Sequence, residues 1–394
     1  VSKRGKAGSV ETLFEKTVST QIHGKKHLSA SIIASAETER RRGRMPESNV
    51  RFTGEHELVE LDLTRGVPDG CSAENLSATE SGLVLASSAG QFAESGCLET
   101  GVFALSRSAN ELVMTWNGNA AERSSFLFEF KVRASGGQWS VWYTLGMWKP
   151  EKRLKMFRDD PEYGPLNVDI LKATRHFDEA VCRVHFRSYY GDRTPSLRRL
   201  TLCATDSAAE GQTEIDASDG GAFDIAVPWL SQHDPETVAD EQMRKAGACA
   251  PTSTTMVLRY WGVPVEVAEV GRRALDPSAR IFGNWAFLVA AASEFGLHGC
   301  VRRFNSLAVL ERVVRNGSPA IVSVSYRKGD LTAKPQAESS GHLMVLRGVA
   351  TNGDMIVNDP DAASPESGEA VVYPRLEFAR AFFGHGGVAL VIHP

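Results

Sequence analysis

Gly247-Ala248-Cys249-Ala250-Pro251-Thr252-Ser253-Thr254-Thr255-Met256-Val257-Leu258-Arg259-Tyr260-Trp261-Gly262 reads as a single helix with a cysteine at its mouth. Met256, Val257, Tyr260 and Trp261 recur at helical spacing. Pro251 fits the first turn, where its missing N–H has no intrahelical partner to lose, and Gly262 fits the left-handed position that ends a helix. Cys249 therefore stands at the positive end of a helix dipole, which favours thiolate over thiol. A cysteine taken alone is more often a small buried hydrophobe, so the chemistry depends on what the rest of the chain brings to it.

Upstream, Val227-Pro228-Trp229-Leu230-Ser231-Gln232 has the form of a short strand ending in an amide donor. Acyl transfer needs hydrogen-bond donors fixed in advance around the developing oxyanion, and the Gln232 side chain with the Cys249 N–H can supply two; a surface glutamine is the plainer alternative. Downstream, Gly341-His342-Leu343-Met344-Val345-Leu346 opens an apolar strand with an imidazole at its mouth. A turn at Thr351-Asn352-Gly353-Asp354 leads into Met355-Ile356-Val357-Asn358-Asp359-Pro360. A thiol nucleophile needs a base within reach, and the base needs a third group to fix its tautomer. His342 and Asp359 come in suitable order, but a strict two-residue hairpin would set Asp359 opposite Leu346, roughly 13 Å along the strand from His342. The pair requires a bulge, a bend or strong coiling. His233, followed by Asp234, is a rival base beside Gln232.

Further out, helices are expected near 250–261, 266–275, 284–295, 306–316 and 375–383, and strands near 298–304, 319–326, 342–350, 354–358, 370–373 and 387–392. Helices first and antiparallel strands later argue for an α+β domain over residues 225–394. Residues 207–224 are small, polar and glycine-rich and read as a linker. Residues 51–206 hold short apolar runs between turn signals: Leu83 to Ala86, Glu111 to Trp116, Phe126 to Val132, Trp139 to Leu145, Ala180 to Tyr189 and Leu197 to Ala204. This is the pattern of an all-β sandwich. Residues 1–50, with the basic run Arg40, Arg41, Arg42 and Arg44, read as a flexible arm.

Five blocks, VPWLSQ, GACAPTSTTMVLRYWG, FGNWAFLVAAASEFGL, SSGHLMVLRGV and IVNDP, occur in order between residues 227 and 360. Together they closely resemble the bacterial C39-like peptidases of the papain-like clan. The resemblance implies a papain-like α+β domain with Cys249 as nucleophile, His342 as base, Asp359 as orienting acid and Gln232 as oxyanion residue. Gly283-Asn284-Trp285 is expected to open a helix with Asn284 as its cap; the resemblance also places Asn284, Trp285 and Gly341 beside a substrate groove, and the reaction needs neither metal nor organic cofactor. More loosely, Asn110 to Trp116, Trp139 to Tyr143 and Leu197 to Leu202 resemble the β-domain that precedes this module in some bacterial proteins. The cysteine is preceded by Gly-Ala, unlike Gly-X-Gly variants elsewhere in the clan. No ATPase cassette or membrane span of the exporter relatives is present, so double-glycine leader cleavage is not carried over.

The expected reaction is hydrolysis of a peptide or other amide through a thioester, on a peptide or protein substrate. The alternatives are an acyl-transferring transpeptidase, or a surface-binding module whose sandwich holds a polysaccharide or protein while the papain-like domain is silent. A serine hydrolase lacks its G-x-S-x-G elbow and a zinc protease its H-E-x-x-H. A net charge of −4 with 23% charged and 42% hydrophobic residues describes an ordinary globular chain and argues against nucleic acid as partner. No run is long enough to span a bilayer, and the start at Val1 suggests a processed form. Of six cysteines, four lie in the N-terminal half, where Cys71 with Cys97 and Cys182 with Cys203 could pair or all could stay free. The even count leans toward an oxidising compartment, secreted or at the cell envelope, with the cytoplasm left open.

Overall fold

The alternation of Phe126, Phe128, Phe130 and Val132 produces a strand whose four apolar side chains are fully buried. In the computed structural model, which describes residues 55–149, 159–207, 215, 218 and 220–394, this strand is one of four long ones in a mostly-β N-terminal region. These are β1 (Phe103–Asn119), β2 (Ser124–Arg133), β3 (Ile170–Ser188) and β4 (Ser196–Asp206). All pairings are antiparallel: β3 joins β1 through its first half and β2 through its second, and β1 joins β4. Hydrogen bonding therefore runs continuously through a twelve-stranded ladder. The expected run Trp139 to Leu145 becomes a strand only at Tyr143. Lys131 lies over both the Trp139 and the Trp142 rings, and Arg183 also lies over Trp142. The expected arm over residues 1–50 and most of the expected linker lie outside the described residues.

The C-terminal region opens with β5 (Phe223–Asp224) and a one-turn helix at Glu241–Ala246 that no periodicity announced. Then come α1 (Cys249–Tyr260), α2 (Val267–Ala274), α3 (Trp285–Glu294), β6 (His298–Arg303) and α4 (Leu307–Arg315). Strands β7 (Ala320–Tyr326), β8 (Ser339–Val349), β9 (Met355–Asn358) and β10 (Val371–Tyr373) lead to α5 (Arg375–Gly384) and β11 (Val388–His393). The sheet order is β6-β11-β7-β8-β9-β10, with β5 also on β8. The helices and strands expected from periodicity are all present within a few residues. No helix among the described residues is long and apolar enough to cross a membrane.

Residues 50–394 form one compact unit, and α3 explains why. Its sequence, WAFLVAAASE, is apolar on every side, which only a helix covered all round tolerates. Phe287 packs edge-on to Trp116 and Trp148 of the β-region, and Trp116 stacks on Phe128 at 4.0 Å. Polar contacts cross the same seam. Asn117 Nδ2 donates to the Gly299 carbonyl and its Oδ1 accepts from the Gly299 N–H, Ser293 Oγ accepts from the Gly118 N–H, and Trp148 Nε1 donates to Glu294. Arg303 and Glu111 form a buried ion pair there.

The β8–β9 hairpin carries one decisive irregularity. Val349 pairs with Met355 and Gly348 with Ile356, but Leu346 then pairs with Val357 and Val345 with Asn358. Arg347 is the extra residue of a β-bulge. Because side chains alternate faces, one added residue turns everything beyond it to the other face. Continuing the register sets Asp359 opposite Met344, two residues from His342 and on the same face; without the bulge it would stand opposite Val345 and face away. Arg347 also clamps the incoming chain, donating to both carboxylate oxygens of Asp224 and to the Val227 carbonyl. At neighbouring Gly348 β5 approaches so closely that a side chain would collide with the Phe223 carbonyl.

Candidate active site

Cys249 is the first residue of α1, and the capping position Ala248 offers no side-chain acceptor to the helix mouth. The His342 ring and the backbone N–H groups of Leu343 and Ala250 lie where they favour the charged form of the sulfur. Burial by itself would raise the thiol's pKa; the His342 contact outweighs it, and the pKa lies below the ordinary cysteine value. Cys249 as a residue is half-buried. The helix ends as its sequence predicts, with Gly262 at φ +81°.

His342, 5% exposed, is held from the other side, with Nε2 at 2.8 Å from Asp359 Oδ1. That leaves Nδ1 as the ring nitrogen for the sulfur. Burial pulls the His342 pKa down, but the Asp359 carboxylate and the Cys249 contact reverse it and raise it to about 10. Asp359 has no exposed surface, and its carboxylate accepts four hydrogen bonds. His342 Nε2 and the Asp361 N–H reach Oδ1, while Lys334 Nζ and the Tyr373 hydroxyl reach Oδ2 at 2.9 and 3.0 Å. Burial would raise its pKa; the charges of His342 and Lys334 win and depress it far below the usual carboxylate range. Both shifts run in the direction that favours a thiolate–imidazolium pair, backed by a buried carboxylate.

The segment carrying Gln232 is pinned alongside. Trp229 Nε1 donates to the Asp359 carbonyl, Ser231 Oγ to the Ala362 carbonyl and the Gln232 N–H to the Pro360 carbonyl. The Gln232 side-chain amide donates to Asp361 Oδ1 at 2.9 Å, and its own buried oxygen has no partner. His233 turns to the same carboxylate at 2.8 Å and stays exposed. His342, not His233, meets the sulfur.

The expected groove residues separate. Trp285 is half-buried with its ring edge-on to His385, and His385 lies beside exposed Gly341, so these three line one wall next to His342. Ser323 fixes His385 through a 2.8 Å contact with Nδ1. Asn284 is corrected: it is fully buried, its Oδ1 accepts from the Phe287 N–H and its Nδ2 donates to Asp276, so it caps α3 and reaches no substrate. Asp169 of the β-region completes that cap by accepting from the Trp285 and Ala286 N–H groups. Asn284→Ala should therefore cost about 1–2 kcal/mol of stability, read as a lowered midpoint in thermal or urea unfolding; an unchanged midpoint would refute the capping role.

Sequence reading missed Lys334, Tyr373, Asp361 and His385. Asp361, two residues past Asp359, had a visible trace in the Asn-Asp-Pro-Asp run; Lys334 had none. All six cysteines are free, so no paired cysteines bear on compartment. A second thiol–imidazole–carboxylate set lies in the β-region, where Cys97 pairs across strands with His185, and His185 contacts Glu129 at 3.1 Å. Cys97 belongs to the strand Ser95–Glu99, so it lacks the helix mouth that serves Cys249.

Comparison with known proteins follows the same division. A family model for the Peptidase_C39 like family matches residues 224–388, and one for the Peptidase C39 N-terminal domain matches residues 61–205. No curated protein matches. Among solved structures, one described as a C39-like peptidase from Bacillus anthracis is 17% identical with a TM-score of 0.33, covering 44% of this chain and 98% of that one. A family two carbohydrate esterase from Cellvibrio japonicus is 11% identical with a TM-score of 0.20, covering 38% and 34%. A xylan-binding module is 10% identical with a TM-score of 0.22, covering 40% and 100%. At these scores the overall likeness is small. Residues 224–388 thus belong to the Peptidase_C39 like family, preceded at 61–205 by a Peptidase C39 N-terminal domain.

Proposed function

We propose that this protein is a papain-like cysteine peptidase that cleaves a peptide or other amide through a thioester. The observation that carries the reading is the convergence of half-buried Cys249, at the mouth of a helix, with a His342 ring whose Nε2 meets buried Asp359 at 2.8 Å. The Cys249 thiolate attacks the carbonyl carbon. The oxyanion is met by the Cys249 N–H and by Gln232, whose amide nitrogen has a second hydrogen beyond the one given to Asp361. The imidazolium passes its proton to the departing amine as the C–N bond breaks, leaving a thioester. His342, now neutral, takes a proton from water as the water attacks the thioester; the C–S bond breaks, the sulfur leaves as the thiolate, and the imidazolium is restored beside it, stabilised by Asp359 whenever the ring is charged.

The ion pair has a pH signature. An ordinary thiol loses alkylation rate about tenfold per unit below pH ~8.5. Cys249, with its depressed pKa, should keep its rate with iodoacetamide well below that point. Removing the imidazole in His342→Ala should slow Cys249 alkylation at pH 6 by roughly 10²-fold. Peptide turnover should behave differently at the alkaline end and fall as the pH rises through about 10, where His342 loses the proton needed by the leaving amine. Because Cys97 is also hydrogen-bonded to a histidine, the rate has to be read on the Cys249 peptide by mass spectrometry. Equal profiles for the wild type and His342→Ala would sink the reading.

A further inference from the structure

Lys334 lies on the connection between β7 and β8, and that connection is anchored rather than loose. Leu331 is buried in the core beneath it, Thr332 donates through both its N–H and its hydroxyl to Glu377, and the Lys334 N–H donates to the Leu331 carbonyl. From this platform Nζ reaches Asp359 Oδ2 and Asp361 Oδ2, each at 2.9 Å, and the Asp361 carbonyl at 3.4 Å. The two carboxylates are thus no more than about 6 Å apart, a distance at which like charges in a shielded place share a proton unless a cation intervenes.

Both carboxylates are also engaged elsewhere. Asp359 faces His342 and the Tyr373 hydroxyl, with Tyr326 edge-on to the His342 ring; Asp361 faces Gln232 and His233. Lys334 is the cation that touches the pair from outside the relay. Its own pKa is held above the lysine value: burial opposes the charge, but the two aspartates prevail.

We propose that Lys334 is a positioning residue that keeps Asp359 and Asp361 ionised side by side, so that Asp359 stays charged against His342 and Asp361 stays charged against the Gln232 amide. The inference rests on the reading of Cys249 as the nucleophile. Without the ammonium, the aspartate pair takes up a proton nearer neutrality. His342 then loses part of its counter-charge, and the Cys249 thiolate forms only at higher pH.

The test is the pH dependence of Cys249 alkylation by iodoacetamide in the full chain, read on the Cys249 peptide. Lys334→Met should move the acid limb upward by about one pH unit or more. Lys334→Gln, which keeps volume and a hydrogen-bonding nitrogen without the charge, should do the same, whereas Lys334→Arg should leave the limb in place. In Lys334→Met combined with Asp361→Asn the like-charge conflict is gone, and the limb should return toward its original position. A lysine that merely props the loop would lower the rate evenly at every pH, and the aspartate change would relieve nothing; that outcome overturns the proposal. Peptide cleavage that persists in Cys249→Ala would instead overturn the underlying reading, so the two failures are separable.

Discussion

Exchanging Cys249 for alanine is expected to abolish peptide turnover, by about 10⁵- to 10⁶-fold, as loss of a nucleophile does when nucleophile, base and acid act as one unit. The change is small sterically, and α1 is held by a long apolar face that includes Met256, Val257 and Leu258. Folding should therefore survive, and the loss can be assigned to chemistry. A mixed peptide library incubated with the wild type and with Cys249→Ala, followed by mass spectrometry, makes the measurement. Comparable cleavage by both proteins would show that another group does the work. The same relay implies that His342→Ala in the alanine background adds little, because each step needs the sulfur first.

Trp116→Ala should have the largest effect on stability. The indole is fully buried, stacked on Phe128 and edge-on to Trp148 and Phe287. Its removal should cost about 3–5 kcal/mol through lost burial and the cavity left behind. Because Phe287 belongs to α3, which also supplies Trp285 to the groove wall, the damage should not stay in the β-region. Urea unfolding followed in parallel by near-ultraviolet circular dichroism and by the loss of Cys249 alkylation at pH 6, which needs the folded His342 contact, should show both probes shifting together. A β-region signal that moves while Cys249 reactivity at pH 6 stays put would show that the two regions unfold independently. Asn117, adjacent in sequence and bonded twice to the Gly299 backbone, adds to the expected coupling.

Much of this arrangement was legible because local patterns and tertiary burial agree. The spacing of Met256, Val257, Tyr260 and Trp261 and the stop at Gly262 define α1, and the phenylalanine alternation defines β2. Cys249, His342 and Asp359 could be singled out as residue types in a sensible order, and they do meet. Trp139 and Trp142 carry the composition of a strand, but cations stacked on their rings hold them in a loop instead. Asn284 caps its helix, as an asparagine before an apolar run predicts, and only its burial shows that it does not also line the groove. Lys334 left no mark in the sequence because a loop has no period, and its role depends on where two aspartates arrive from another strand end.

The bulge at Arg347 has a genetic consequence. Losing that one codon would leave Leu346 opposite Val357 and Asp359 still opposite Met344, so the relay would keep its face and only the clamp on Asp224 and Val227 would be lost. Inheritance of activity in this hairpin thus depends on counting as well as on chemistry: with the bulge kept, one triplet lost between His342 and Arg347 would turn Asp359 away from the imidazole while all three letters of the relay remain.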